Sequence, residues 1–162
     1  MFDRILLPVD GSELAEAAVE HAAALGEKFG ATVIVLQVID SEAQIIAHTA
    51  PATIEPLPSG QITAQIAHEA VEGQRAKARE NVDRVAGELR DRGVNVETTI
   101  VEGGPGDAIC AAVEALECDT VVMATHGRSG FKRAVLGSVA DHVARNTPDA
   151  SVLLIRPVAE RD

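Results

Sequence analysis

The chain has 162 residues, 46% of them hydrophobic, enough for one domain with a full core and too many for a disordered polymer. With 25 acidic residues against 14 basic ones the formal charge is −11, which counts against a nucleic-acid backbone or an anionic membrane surface as the main partner.

There is no Trp or Tyr, and Phe2, Phe29 and Phe131 are the only aromatic residues. The core is therefore built from Ala, Val, Ile and Leu, a set that suits a sheet covered by helices on both faces. Of the basic residues only Lys28, Lys77 and Lys132 are lysines; the rest are Arg. An acidic, lysine-poor surface reads either as adaptation to high salt, where screening relieves self-repulsion, or as the codon bias of a GC-rich genome. Cys110 and Cys118 are too few for a disulfide framework or a metal cluster and read as small buried hydrophobes in a reducing compartment. Met1-Phe2-Asp3-Arg4 runs straight into a strand-like segment with no signal-peptide pattern, and the apolar runs are too short to span a bilayer. The expectation is a cytoplasmic protein without membrane insertion.

In chain order, Ile5-Leu-Leu-Pro-Val9 is a short apolar strand ending at Asp10-Gly11-Ser12, a turn and helix N-cap. Leu14, Ala18, Ala22, Leu25 and Phe29 follow at helical spacing, and Gly30 stops the helix. Thr32 to Val38 is a second, nearly continuous branched strand. Residues 40–60, with Pro51, Pro56, Pro58 and Gly60, read as a mobile loop or short lid. A long helix is predicted from about Ile62 to Arg92, with Ala78, Val82, Val85 and Leu89 inward. Val94 to Val101 is a third strand. Gly103-Gly-Pro-Gly-Asp107 turns into a helix bearing Ile109, Ala112, Val113 and Leu116. Thr120 to Ala124 is a fourth strand, a helix starts near Ser138 and ends at Asn146-Thr-Pro148, and Ser151 to Ile155 is the last strand.

Apolar strands alternating with helices predict an α/β fold: a single five-stranded, doubly wound parallel sheet with right-handed crossovers and helices on both faces, in one domain over 1–162. In such sheets ligands bind beyond the carboxyl ends of the strands, where the strand order reverses. Strand four leads there into Ala124-Thr-His-Gly127-Arg-Ser-Gly130-Phe-Lys-Arg-Ala-Val-Leu-Gly137-Ser138-Val139. Gly127 and Gly130 permit close approach of the backbone, Gly137-Ser138 opens a helix with unpaired N–H groups, and Arg128, Lys132 and Arg133 add positive charge. These are the parts of an anion cradle, and equally those of a glycine turn with a serine cap. No P-loop pattern occurs, and no Gly-x-Gly-x-x-Gly follows strand one.

Ile5-Leu-Leu-Pro-Val-Asp-Gly-Ser12, Val35-Leu-Gln-Val-Ile39, Asp119-Thr-Val-Val-Met-Ala-Thr-His-Gly-Arg-Ser-Gly130, Leu136-Gly-Ser-Val139 and Ser151-Val-Leu-Leu-Ile-Arg-Pro157 together resemble the universal stress protein (UspA-like) family over essentially the whole chain outside 40–60. The resemblance implies a Rossmann-like sheet of order 3-2-1-4-5, a homodimer and, in one subgroup, ATP bound with Mg2+ on its phosphates. That subgroup's glycine pattern is met at Gly127 and Gly137-Ser138, whereas Ala124 stands where its first glycine would be. The resemblance places Pro8, Val9 and Asp10 beside the nucleoside, with Val38 at the adenine edge and Met123 among the nucleotide-binding residues. It places Gly127, Arg128, Gly130, Gly137, Ser138 and Val139 at the phosphates. Asp10 reads as well as a turn carboxylate, Val38 as a core residue, and Arg128 and Lys132 as solvated surface charges.

His126 is the only histidine near this segment, and the other four show no ligand spacing. No positioned nucleophile or carboxylate pair suggests a fast hydrolase, so ATP is expected to act as a regulatory ligand in a stress response. The alternative is a nucleotide-free module that regulates a transporter or enzyme by protein contacts. An adenylyl transferase would need a longer Gly- and Ser-rich turn than Pro8–Ser12. Dimerisation is what the resemblance implies, and its physical reason is the last strand, Val152-Leu-Leu-Ile155, whose apolar edge would be exposed in a monomer and invites pairing.

Overall fold

The elements run β1 (Arg4–Pro8), α1 (Glu13–Phe29), β2 (Thr32–Ile39), α2 (Glu42–Thr49), α3 (Gly60–Asp91), β3 (Asn95–Glu102), α4 (Pro105–Ala115), β4 (Thr120–Ala124), α5 (Ser138–Asn146) and β5 (Ser151–Ile155). They are seen in a computed structural model that describes residues 2–49, 60–125 and 137–156. All strand pairs are parallel, in the order β3-β2-β1-β4-β5. This is the doubly wound sheet the alternation predicts, with β3 and β5 at its edges.

Strand periodicity divides the core in two. Ile5 and Leu7 of β1, Val33 and Val35 of β2 and Val122 of β4 face α1 and α3, where Ala18, Ala22, Val82, Val85 and Leu89 meet them. Leu6, Ile34, Leu36, Val121 and Met123 face the other way, onto Ile109, Ala112 and Val113 of α4 and Ala140 and Val143 of α5. The central strand β1 is thus apolar from Ile5 to Pro8 because both of its faces are covered. Small side chains on α1 let it lie close to the sheet: a Cβ on Gly26 would come within 2.6 Å of Val94 Cγ1. Gly30 ends α1 in the left-handed region (φ 69°), its N–H reaching Gly26 O at 2.9 Å.

Two features differ from the sequence reading. Residues 42–49 form helix α2 rather than loop; residues 50–59 of the expected loop lie outside the described residues. The helix is held by a capping box. Gln44 N–H donates to Ser41 Oγ at 3.3 Å, while Ser41 N–H and hydroxyl donate to Gln44 Oε1 at 2.9 and 3.0 Å. Phe29 does not enter the core either: it is 51% exposed and pairs with Phe2, ring centroids 4.9 Å apart.

Candidate functional site

The strand order reverses between β1 and β4, which part at their carboxyl ends. Beyond β1 lies a cavity of about 290 Å3. Pro8, Val9 and Asp10 enter its wall from β1, Val38 from β2, and Met123 from β4. Gly137, Ser138 and Val139 close it from the start of α5. All the described residues singled out from the sequence therefore surround one cavity. Gly127, Arg128 and Gly130, together with His126, Lys132 and Arg133, lie outside the described residues.

The neck of the intervening segment is a hydrogen-bond ladder. Thr125 N–H donates to Ile155 O at 2.9 Å, and Gly137 N–H donates back to Thr125 O at 2.8 Å. The chain thus returns to its departure point before α5 begins, which sets the α5 N-terminus at the end of β4. Gly137 is the N-cap, and the first helical bond is Asp141 N–H to Gly137 O at 2.9 Å. The N–H groups of Ser138, Val139 and Ala140 precede that bond and have no acceptor within the helix. All three residues line the cavity. Ser12 and Ala15 at the start of α1 and Pro105 at the start of α4 line it too, so three helices begin there. Converging helix N-termini make a positive potential without a lysine or arginine, a setting for an anionic group.

The orientation of the Val38 backbone follows from the sheet register. Leu36 O accepts from Val9 N–H at 2.8 Å, so Leu36 turns its peptide groups toward β1. Val38, two residues on, turns its own the same way, and β1 has ended by that level. A planar ligand edge carrying one donor and one acceptor fits such a strand end. Asp10 shows the turn role: its Oδ1 accepts from Ser12 N–H at 3.0 Å and from the Ser12 hydroxyl at 2.5 Å, and Gly11 adopts φ 75°. Asp10 nonetheless lines the cavity.

The sequence reading did not name Ala15, Pro105, Ile109 or Thr125 among the lining residues. Their signal is positional, since each directly follows a strand or sits on the inner face of a helix that does. The pose of α5 is set against α4, where His142 Nε2 lies 3.0 Å from Asp107 Oδ1. Gly106 permits this, because a Cβ there would meet His142 Cδ2 at 2.8 Å. On the same helix the Arg145 guanidinium holds the Asp141 carboxyl below its ordinary value. Burial pushes the Cys118 thiol up to about 11, and burial followed by the Asp107 charge raises Cys110, so neither is an activated nucleophile. Among the described residues no three His, Cys, Asp or Glu side chains gather as a metal site. No helix among them is long and apolar enough to cross a membrane.

Fold and crevice together define a doubly wound α/β protein with a cavity at its switch point. A model of the Universal stress protein family matches residues 1–156, and the chain belongs to that family. It is 30% identical over 161 residues to universal stress protein MJ0531 of Methanocaldococcus jannaschii, covering 99% of this chain and 86% of that one. It is 29% identical to universal stress protein Sll1388 of a Synechocystis species, with 96% and 98% covered. Among solved structures, MJ0577 superposes with a TM-score of 0.81 at 28% identity over 99% of both chains. UspA of Lactobacillus plantarum shares the fold at a TM-score of 0.77 and 24% identity, covering 96% of this chain and 98% of that one.

Proposed function

We propose that the protein binds ATP as a regulatory ligand, with Mg2+ carried on the phosphates, in a cytoplasmic homodimer that serves a stress response. The observation behind this reading is the cavity itself. An apolar slot between Val9, Val38 and Met123 suits a base, the Val38 backbone suits its edge, and the converging helix N-termini suit phosphates. In this reading Asp10 accepts from ribose hydroxyls. Gly127, Arg128 and Gly130 complete the phosphate side in this reading. Two solved proteins of the same fold carry related ligands: a universal stress protein with cAMP and one from Arabidopsis thaliana with AMP. The dimer forms through β5, an edge strand whose Leu153 is 39% exposed.

Calorimetry with MgATP tests the reading, with wild type beside a Gly137→Val variant that fills the α5 N-cap. Saturable binding by the wild type, lost in a folded variant, is expected. Absence of binding at low and at high KCl, by protein purified free of nucleotide, overturns it. That result would favour the second reading, a nucleotide-free interaction module acting through protein contacts, toward which the methyl group of Ala124 in the cavity wall points.

A further inference from the structure

Helices α4 and α5 lie side by side on one face of the sheet, where Ile109, Ala112 and Val113 of the first share a core with Ala140 and Val143 of the second. Both begin at the rim of the cavity. Pro105, the first helical residue of α4, and Ser138, the first of α5, line it. The residue before each is a glycine, Gly104 and Gly137, and neither helix has a side-chain cap. Helix α1 is alike, because the Ser12 hydroxyl at its N-cap is turned to Asp10. Three helix ends without a side-chain cap thus face one cavity, and like ends of helix dipoles repel one another. The contact that sets the α5 end at its distance from the α4 end therefore shapes the site.

That contact lies one turn below the rim. His142 follows Ser138 by four residues, so the two share a face of α5. Its imidazole rests against the first turn of α4 at Gly106, in space that any other residue would fill. A Cβ on Gly106 would stand 2.8 Å from Cδ2, 3.0 Å from Cγ and 3.3 Å from Cβ of His142. Asp107, the next residue of α4, also meets the ring, its Oδ1 3.0 Å from Nε2. None of Gly106, Asp107 and His142 lines the cavity itself.

We propose that Gly106 and His142 are positioning residues for the ligand: the imidazole, seated in the gap beside Gly106, fixes the separation of the α4 and α5 N-termini and with it the phosphate side of the cavity. The inference rests on the nucleotide reading, which puts phosphates at those helix ends. A methyl group at position 106 wedges α5 away from α4, whereas loss of the ring leaves the two ends without a spacer. Combining the changes removes the wedge, so their effects on the site are not additive.

Calorimetry with MgATP on wild type, Gly106→Ala, His142→Ala, His142→Gln and the double variant Gly106→Ala/His142→Ala tests this, with urea unfolding recorded for each. Gly106→Ala should weaken MgATP about tenfold and His142→Ala about threefold, and the double variant should recover to about the level of His142→Ala alone. His142→Gln keeps the length of the side chain and an N–H for Asp107, and should bind within about twofold of wild type. A contact that served stability alone would shift the urea midpoints and leave the affinities of the folded proteins equal. Should Gly106→Ala not fold, the comparison of His142→Ala with His142→Gln decides. Equal affinities across the folded variants, a double variant as weak as the product of the single losses, or His142→Gln no tighter than His142→Ala overturns the proposal alone. A wild type that takes up no MgATP overturns the nucleotide reading and this inference with it.

Discussion

At the scale of single residues, close packing and burial make sharp statements. Gly26 sits inside α1, where Ala would gain about 1 kcal/mol of helix propensity. Its Cβ, however, would lie 2.6 Å from Cγ1 of Val94, a residue only 5% exposed. The clash outweighs the propensity, so Gly26→Ala should lower stability by about 1–3 kcal/mol in urea unfolding. A more stable variant would show that Val94 can turn away at little cost. Cys118 offers a second test: with its thiol near 11, about a thousandth of it is thiolate at pH 8. Iodoacetamide at that pH should modify the less buried Cys110 first and Cys118 only on unfolding, as read by peptide mass mapping. The residues lining the cavity were reached from the sequence mainly through the family resemblance: turn residues mark Asp10-Gly11-Ser12 and Gly137-Ser138, whereas Val38 and Met123 lie within strands and carry no such mark.

At the scale of elements, the helices differ in what holds them. Leu89, fully buried between α3 and the sheet, anchors the longest helix, and Leu89→Ala should cost about 2–5 kcal/mol by chemical denaturation. Helix α2 rests on its capping box and on His68 Nδ1, 2.8 Å from Glu42 Oε1 across to α3. The Glu42 hydrogen bond, then its charge, raises the His68 imidazole above its ordinary 6.5. A raised folded value means the pair contributes fully below pH 6.5 and is lost as pH rises through that raised value. In an NMR titration His68 should therefore turn above 6.5 in the wild type and fall back in Glu42→Gln. Four of the strands were readable as short, nearly uninterrupted apolar runs, and the edge strand β3, Asn95–Glu102, by its alternation. Helix α2 was missed because the prolines after residue 50 set the expectation for the whole interval. The Ser41-x-x-Gln44 box inside it was a legitimate helix signal that those prolines outweighed.

At the scale of the whole molecule, charge dominates. A formal −11 on 162 residues makes the folded state repel itself, and salt relieves that repulsion over a Debye length of about 10 Å at 0.1 M. The melting temperature should rise between about 0.05 and 1 M KCl. A flat or falling profile would mean that surface pairs such as Arg92 with Glu20 and Glu27 already balance the field, because salt weakens those pairs. The sheet order was within reach of the sequence through the family resemblance, whereas periodicity alone leaves it open. Alternating strands and helices are compatible with several parallel arrangements, and only long-range register decides between them.

The position of β1 has a consequence in time. Along the chain its first neighbour, β2, follows after one helix, but its second, β4, is made only after β2, α2, α3, β3 and α4. As the chain leaves the ribosome, the half-sheet β3-β2-β1 can assemble while one edge of β1 still waits, its N–H and C=O groups unpaired beside Ile5, Leu6 and Leu7. That edge is apolar on both sides and would stick to any similar strand, including the same strand of a neighbouring nascent copy. The cell's exposure to aggregation of this protein is thus set less by its finished stability than by the interval during which β1 lacks its second neighbour.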